Sequence, residues 1–304
     1  MSAEQDNSIL SFSIVSRDSE DRARIEQEVA RIVREKPLAR VNFERREDRL
    51  ILGFDDVLLL EELRSRIAPT TSAHIGDVQV AFRETIRKTA EAEGKYIRQT
   101  GGSGNYGHCW LRIEPNEPGK GYEFINEVKG GVVPKEYIKP IDQGVRGAME
   151  GGVLAGFPMV DVKVALFDGS YHEVDSNENA FKIAGSVAFK EAARSAKPVL
   201  LEPVMAVEVT VSEEFMGVII GDINSRRGRI EGMEHAAGSQ VIKAMVPLAE
   251  LLRSSRHGRP EYQMSFAGYE PAPHRGGFDE GQASTLEVKP RNPKPRGGSA
   301  SAQP

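Results

Sequence analysis

An α+β protein, with two related small units on either side of a different middle one, is what this 304-residue sequence predicts. Three observations carry the prediction. Residues 8 to 80 alternate strand and helix signals in the order βαββαβ, and the same order returns over residues 204 to 266. The stretch between them follows another order, with strands around a glycine-rich loop and then one long helix.

In the first unit, Ile9 to Val15 reads as a strand. Asp18-Ser-Glu-Asp-Arg-Ala-Arg-Ile25 opens a helix with acids in the first turn, where the helix dipole favours them, and Ile25, Val29, Ile32 and Val33 supply its apolar stripe. Ala39 to Arg45 and Leu50 to Phe54 form a strand pair around the polar turn Arg46-Glu-Asp48. A helix over about Val57 to Ile67 and a strand through Val78 and Val80 complete the set. That order folds as a ferredoxin-like sandwich, two helices on one antiparallel sheet.

The middle unit turns on Gly101-Gly-Ser-Gly-Asn-Tyr-Gly-His108, a formal G-x-G-x-x-G. A dinucleotide fingerprint needs an apolar strand before it and a helix N-terminus after it. Here the alternating Lys95-Tyr-Ile-Arg-Gln-Thr100 precedes the loop and His108-Cys-Trp-Leu-Arg-Ile113 follows it, which is the setting of a hairpin. No Lys-Ser or Lys-Thr follows, so a P-loop is excluded. A second loop, Leu166-Phe-Asp-Gly-Ser-Tyr-His-Glu-Val-Asp175, places Gly169, Ser170, Tyr171 and His172 at a turn. A helix from about Ser176 to Ser195 follows, with Asp175 as N-cap, Glu178 completing a capping box, and Phe181, Ala184, Val187, Ala188 and Ala192 as its buried face.

The third unit has a strand at Val204 to Val211, a helix at Phe215 to Asn224, strands at Arg229 to Glu234 and Gln240 to Val246, a short helix at Pro247 to Leu252, and a last strand at Tyr262 to Phe266. Pro198 and Pro203 bracket the junction before it. The resulting division is a flexible 1–7, units at 8–78, 79–197 and 198–270, and a Pro-, Gly- and Ser-rich tail, 271–304, without hydrophobic periodicity and expected to be disordered.

Composition narrows the function. A formal net charge of -5 argues against coating nucleic acid by bulk electrostatics and leaves room for local contacts. One cysteine rules out an internal disulfide, and Cys109 reads as a small core residue. No apolar run approaches a membrane span, and the N-terminus has no secretory pattern, so no membrane partner and a cytoplasmic location are expected. Ser170, His172 and Asp175 share one short turn, where a catalytic triad rarely converges. The six histidines lack metal-ligand spacing. No catalytic residue, metal, cofactor or small-molecule substrate is therefore expected. The two loops offer glycine backbone, aromatic rings, imidazoles and hydroxyls, groups suited to unpaired bases and 2′-hydroxyls of RNA.

Further residues make a resemblance specific. Phe82-Arg-Glu-Thr-Ile86, the glycine loop, Gly121-Tyr-Glu-Phe-Ile-Asn126, Lys129-Gly-Gly-Val-Val-Pro134, Leu154-Ala-Gly-Phe-Pro158, Gly169 to Ser176, Phe189-Lys-Glu191 and Lys197-Pro-Val-Leu-Leu-Glu-Pro203 resemble, in order and spacing, the fourth domain of translation elongation factor G. Ile220-Gly-Asp-Ile-Asn-Ser-Arg-Arg-Gly228 and Val246-Pro-Leu248 resemble its fifth domain, and residues 8 to 80 resemble its third more loosely.

The resemblance implies two ferredoxin-like domains flanking a ribosomal-protein-like split β-α-β domain. It also implies a ribosome partner, the fourth domain imitating a tRNA anticodon arm and meeting tRNA and mRNA at the decoding site. The matching tip residues are Gly101, Gly102, Ser103, Gly104, Asn105, Tyr106, Gly107 and His108, then Gly169, Ser170, Tyr171, His172 and Asp175. Arg226, Arg227, Arg229, Arg253, Arg256 and Arg259 are the matching candidates for rRNA phosphates. Ser103 stands where the family commonly has Arg, and Gly53-Phe-Asp-Asp-Val-Leu-Leu59 replaces the family's Gly-Met-Gly-Glu-Leu-His-Leu. No G-x-x-x-x-G-K-[ST] occurs, so no GTP hydrolysis is expected of this chain. The alternatives are a subunit that works with a separate GTPase chain, and a non-ribosomal relic of the fold.

Overall fold

The computed structural model describes residues 8–35, 41–45, 49–54, 57–69, 73–98, 104–236, 238–253 and 261–273. The first unit runs β1 (Leu10–Val15), α1 (Ser19–Glu35), β2 (Val41–Arg45), β3 (Leu50–Phe54), α2 (Val57–Ile67), then two short strands, β4 (His74–Ile75) and β5 (Gln79–Val80), which both pair with β1. The sheet order β2-β3-β1-β4 is the one a βαββαβ sandwich requires. Asp18 caps α1, its carboxylate accepting from the Asp21 N–H at 2.7 Å, and Ile25, Val29 and Ile32 are buried against the sheet. The strand predicted through Val78 and Val80 is found only at Gln79–Val80, with Val78 outside it, and β4 is a further short strand on β1. The Arg46-Glu-Asp48 turn lies outside the described residues.

The middle unit begins with β6 (Arg83–Ile86) and continues through β7 (Ala90–Arg98), β8 (Asn105–Pro115), β9 (Glu123–Asn126), α3 (Lys135–Glu150), β10 (Val162–Ser170) and α4 (Glu178–Ser195). Its sheet, β7-β8-β10-β9, is antiparallel except for the parallel β9–β10 pair, which frames α3 as a β-α-β crossover. α3 and α4 cover one face, where Cys109, Leu111, Ile113, Val164, Leu166, Phe181 and Phe189 form the core. Burial pushes the Cys109 thiol up to about 12.

Two local expectations are corrected. α4 starts at Glu178 and its cap is Asn177, whose side chain accepts from the Ala180 N–H at 2.9 Å; Asp175 is engaged elsewhere. Val187, expected on the buried face, is 38% exposed, while Gly185 and Phe189 take buried positions.

The third unit consists of β11 (Pro198–Val211), α5 (Met216–Ser225), β12 (Arg229–Ala236), β13 (Ser239–Pro247), α6 (Leu248–Arg253) and β14 (Glu261–Pro271). Its order, β12-β13-β11-β14, repeats that of the first unit. Pro198 and Pro203 lie within β11, which is one continuous strand where a break was expected. Its first residues pair with β6 of the middle unit and the rest with β13 and β14. Likewise β14 continues past Phe266 to Pro271, and the Ala272 N–H donates to the Leu200 carbonyl at 2.9 Å.

At this junction one side chain organises a whole loop. Glu84 is fully buried, and its carboxylate accepts from the backbone N–H groups of Val153, Leu154, Ala155 and Phe157 at 2.7, 2.9, 2.7 and 3.1 Å. Taking a carboxylate out of water costs several kcal/mol unless its lone pairs are filled, and four amides fill them. Gly152 sits here at φ +59, and a Cβ there would lie 2.3 Å from the Phe157 carbonyl oxygen. Only glycine meets both demands.

Candidate nucleic-acid interface

The tip lies at the far end of the middle sheet. β7 and β8 pair in register down to Arg98 opposite Asn105, which confirms a hairpin where the glycine motif sits. Gly101, Gly102 and Ser103 lie outside the described residues. The two loops are joined by Asp175, whose carboxylate accepts from the Gly104 N–H and whose carbonyl accepts from the Tyr106 N–H, both at 2.8 Å. Asn177 donates from Nδ2 to Asn105 Oδ1 at 2.8 Å, so the capping residue of α4 also holds the first loop. Within the second loop, the His172 N–H donates to Ser176 Oγ and the Ser176 N–H returns a bond to the His172 carbonyl.

These bonds divide the expected tip residues into two groups. Ser170 belongs to the end of β10, and its hydroxyl lies 2.7 Å from both Tyr106 Oη and His108 Nδ1. His108 Nε2 is in turn 2.9 Å from Glu93 Oε1. Tyr106, His108, Ser170 and Asp175 are thus tied into the fold. Tyr171 is 45% exposed and Val174 75%, while the His172 ring, with a 61% exposed side chain, stands 6.1 Å from that of Tyr106. The apex presented to a partner is therefore Tyr171 to Val174.

The glycines divide in the same way. A Cβ on Gly107 would lie 2.4 Å from the backbone of Ala180, so this glycine lets β8 press against the first turn of α4. One on Gly169 would meet the His108 carbonyl and Val133 at 2.6 Å. Both serve close packing. Gly104 is different, since its nearest neighbour is the Asp175 carboxylate at 3.0 to 3.3 Å.

The arginines of the third unit are largely spoken for. Arg227 adopts a left-handed φ of 60° and forms a bidentate pair with the buried Glu202, 2.8 Å at each nitrogen, plus a 3.1 Å contact to Glu250. Those carboxylates, Glu202 first, raise its guanidinium above the ordinary value. Arg226 meets Asp222 at 2.8 Å, and Arg229, 62% exposed at its side chain, meets Glu231 and Glu270 at 2.6 and 3.3 Å. The Arg253 side chain, Arg256 and Arg259 lie outside the described residues.

Residue types alone do not reveal the bracing roles of Asn105, Asn177 and Glu93. Asn177 carries a legible signal, because asparagine is a preferred N-cap. The others depend on strand register, which a single sequence specifies weakly. Among the described residues, no group of three or more His, Cys, Asp or Glu side chains could hold a metal ion, and no helix is long and apolar enough to cross a membrane.

Comparison with known proteins agrees with this geometry. The family description "Elongation factor G, domain IV" matches residues 78–197, and "Elongation factor G C-terminus" matches residues 199–276. A crystal structure of a Thermus thermophilus protein superposes with a TM-score of 0.69 at 35% identity, covering 88% of this chain and 41% of that one. This chain thus spans less than half the length of that solved protein. With both family regions contiguous and the split β-α-β unit joined to a ferredoxin-like one, the chain belongs to the elongation factor G family, as a counterpart of its C-terminal half.

Proposed function

We propose that this chain is a translation factor module that binds the ribosome through RNA, with its middle unit imitating an anticodon arm at the decoding site. The observation that supports this reading most directly is the apex itself. Tyr171, His172 and Val174 stand exposed at the end of a narrow unit, on loops cross-braced by Asp175 and Asn177. Aromatic and imidazole groups so placed can stack on unpaired bases and reach 2′-hydroxyls.

The module acts by occupancy, with no bond made or broken: among the described tip residues, the Ser170 hydroxyl beside His108 is also held by Tyr106 at the end of β10, where it braces the tip. The carboxylates paired with Arg226, Arg227 and Arg229 leave the third unit a smaller share of the affinity, with Arg229 the most accessible of the three.

Co-sedimentation with intact ribosomes through sucrose at near-physiological salt, without nucleotide, tests this reading. Saturable pelleting is expected. The double variant Tyr171→Ala, His172→Ala should weaken it about tenfold or more while leaving the Tm within a degree or two of the parent's. Pelleting only after a separate GTPase chain is added would replace this reading with that of a split-factor subunit. No pelleting under either condition would leave a fold without ribosome affinity.

A further inference from the structure

The middle sheet has a second face, opposite α3 and α4, that shares only Glu93 and His108 with the bracing of the tip. Strand register brings Glu91, Glu93 and Lys95 of β7 beside Arg112, Trp110 and His108 of β8. β10 pairs with β8 until its register shifts between Leu166 and Asp168, and that bulge adds Phe167 to the strand. Bulges re-aim side chains, and here the Phe167 ring stands 6.2 Å from Trp110 and 5.9 Å from the Arg112 guanidinium. A cleft of about 620 Å³ opens beside it, lined by Glu127, Lys129, Val132, Phe167 and Asp168.

The charge of this face selects the occupant. Glu91, Glu93, Glu114, Glu123, Glu127 and Asp168 outnumber Lys95, Arg112, Lys129 and Lys163 on it. A phosphate-bearing ligand meets net repulsion there, and a wholly apolar one would strip water from carboxylates. Arg112 already displays the chemistry that fits. Its guanidinium lies near the Phe167 ring and 2.7 Å from Glu127, with Glu114 at 3.2 Å. A planar cation between an aromatic ring and a carboxylate suits arginine better than lysine.

We propose that this cleft docks an arginine-bearing basic segment of a partner protein, with a guanidinium between Phe167 and Asp168. The site adjoins the tip, Asp168 directly preceding Gly169, but takes a ligand of another kind. A tip that meets RNA and a flank that meets basic protein would let one narrow unit engage a ribonucleoprotein surface on two sides.

Trp110 is the only tryptophan, so emission excited beyond the red edge of tyrosine absorption reports on this face. The full chain would be titrated at low salt with an Arg-Gly-Ser repeat peptide, a Glu-Gly-Ser repeat peptide and an oligouridine. A saturable change is expected with the arginine peptide only, with Asp168→Asn and Phe167→Ala each weakening it about three- to fivefold. Tyr171→Ala should leave this titration unchanged even where it weakens ribosome binding. Thermal melts of both cleft variants check folding, and Asp168→Asn alone decides if Phe167→Ala proves unstable. A response to oligouridine with none to the arginine peptide would overturn the proposal in favour of a nucleic-acid face. So would no response to any probe, or unchanged affinity in Asp168→Asn.

Discussion

The two ends of the middle unit both depend on a carboxylate that accepts backbone N–H groups, and they use it to opposite effect. At the base, Glu84 is fully buried and holds four amides of one loop. At the tip, the Asp175 side chain is 26% exposed and its carboxylate takes one amide, from Gly104, with the His172 ring 3.7 Å away. Buried and fully satisfied, the first arrangement resists local opening; half-open to water, the second gives loops that keep a shape and still yield to a partner. The same chemical device thus becomes an anchor or an adjustable brace according to its burial.

The largest test lies between the two ends. Gly107→Val places carbon against the Ala180 backbone, where even a Cβ would lie at 2.4 Å. It should cost upward of about 3 kcal/mol and leave the middle unit unfolded or molten, seen as loss of near-UV circular dichroism around Trp110. A mild effect would mean that α4 can move off the sheet, and that the packing of the tip is looser than its distances imply.

Next comes the base. Glu84→Ala strands the four backbone amides that face its buried carboxylate and should cost about 3 kcal/mol or more in urea unfolding. Glu84→Gln keeps the volume but turns an amide N–H₂ toward N–H donors, so it should recover little of that loss. Full recovery by glutamine would show that shape rather than charge holds the loop. Asp175→Ala breaks the comparison from the other side, with an expected cost near ~1 kcal/mol and a larger fractional loss in ribosome pelleting. Equal costs at 84 and 175 would erase the distinction between anchor and brace.

The smallest expected effect concerns Cys109. Burial holds its thiol protonated up to about 12, so a thiol reagent at pH 8 should react slowly with the native chain and quickly in denaturant. The sign follows from linkage: the unfolded chain loses this proton near its ordinary 9.0, so stability conferred by the protonated thiol declines as pH rises from about 9 toward 12. Rapid native labelling would mean that the face under α4 opens often.

Much of this is legible in the sequence. The stripe Ile25, Val29 and Ile32 marks α1 because helical spacing survives in one dimension, and the second βαββαβ run stands out for the same reason. The motif series pointed to the family, and the tip loops follow from it. What escaped were contacts between residues far apart in the chain. Asp175 passed for a helix cap because its partner, Gly104, is 71 residues away. Gly107 and Gly169 passed for loop glycines because only the folded chain shows what a Cβ would strike. The pairing of Arg227 with Glu202 and Glu250 is likewise invisible in one dimension, because those carboxylates reach it across the third unit. Pro198 and Pro203 suggested a break, yet each lies within a strand whose pairing tolerates them.

That strand has a mechanical meaning. β11 runs through the centre of the third unit's sheet and pairs with β6 at Pro198 to Leu201, so the strand that opens the middle unit is built into the sheet of the third. Fourteen residues of extended chain make a beam about 45 Å long. With β6 laddered into that sheet and its Glu84 gripping the loop from Val153 to Phe157, the middle unit is joined to the third by backbone hydrogen bonds as well as by the chain itself. The first unit joins the same core, with Val78, Val80 and Phe82 buried in one apolar cluster with Leu200 and Met205.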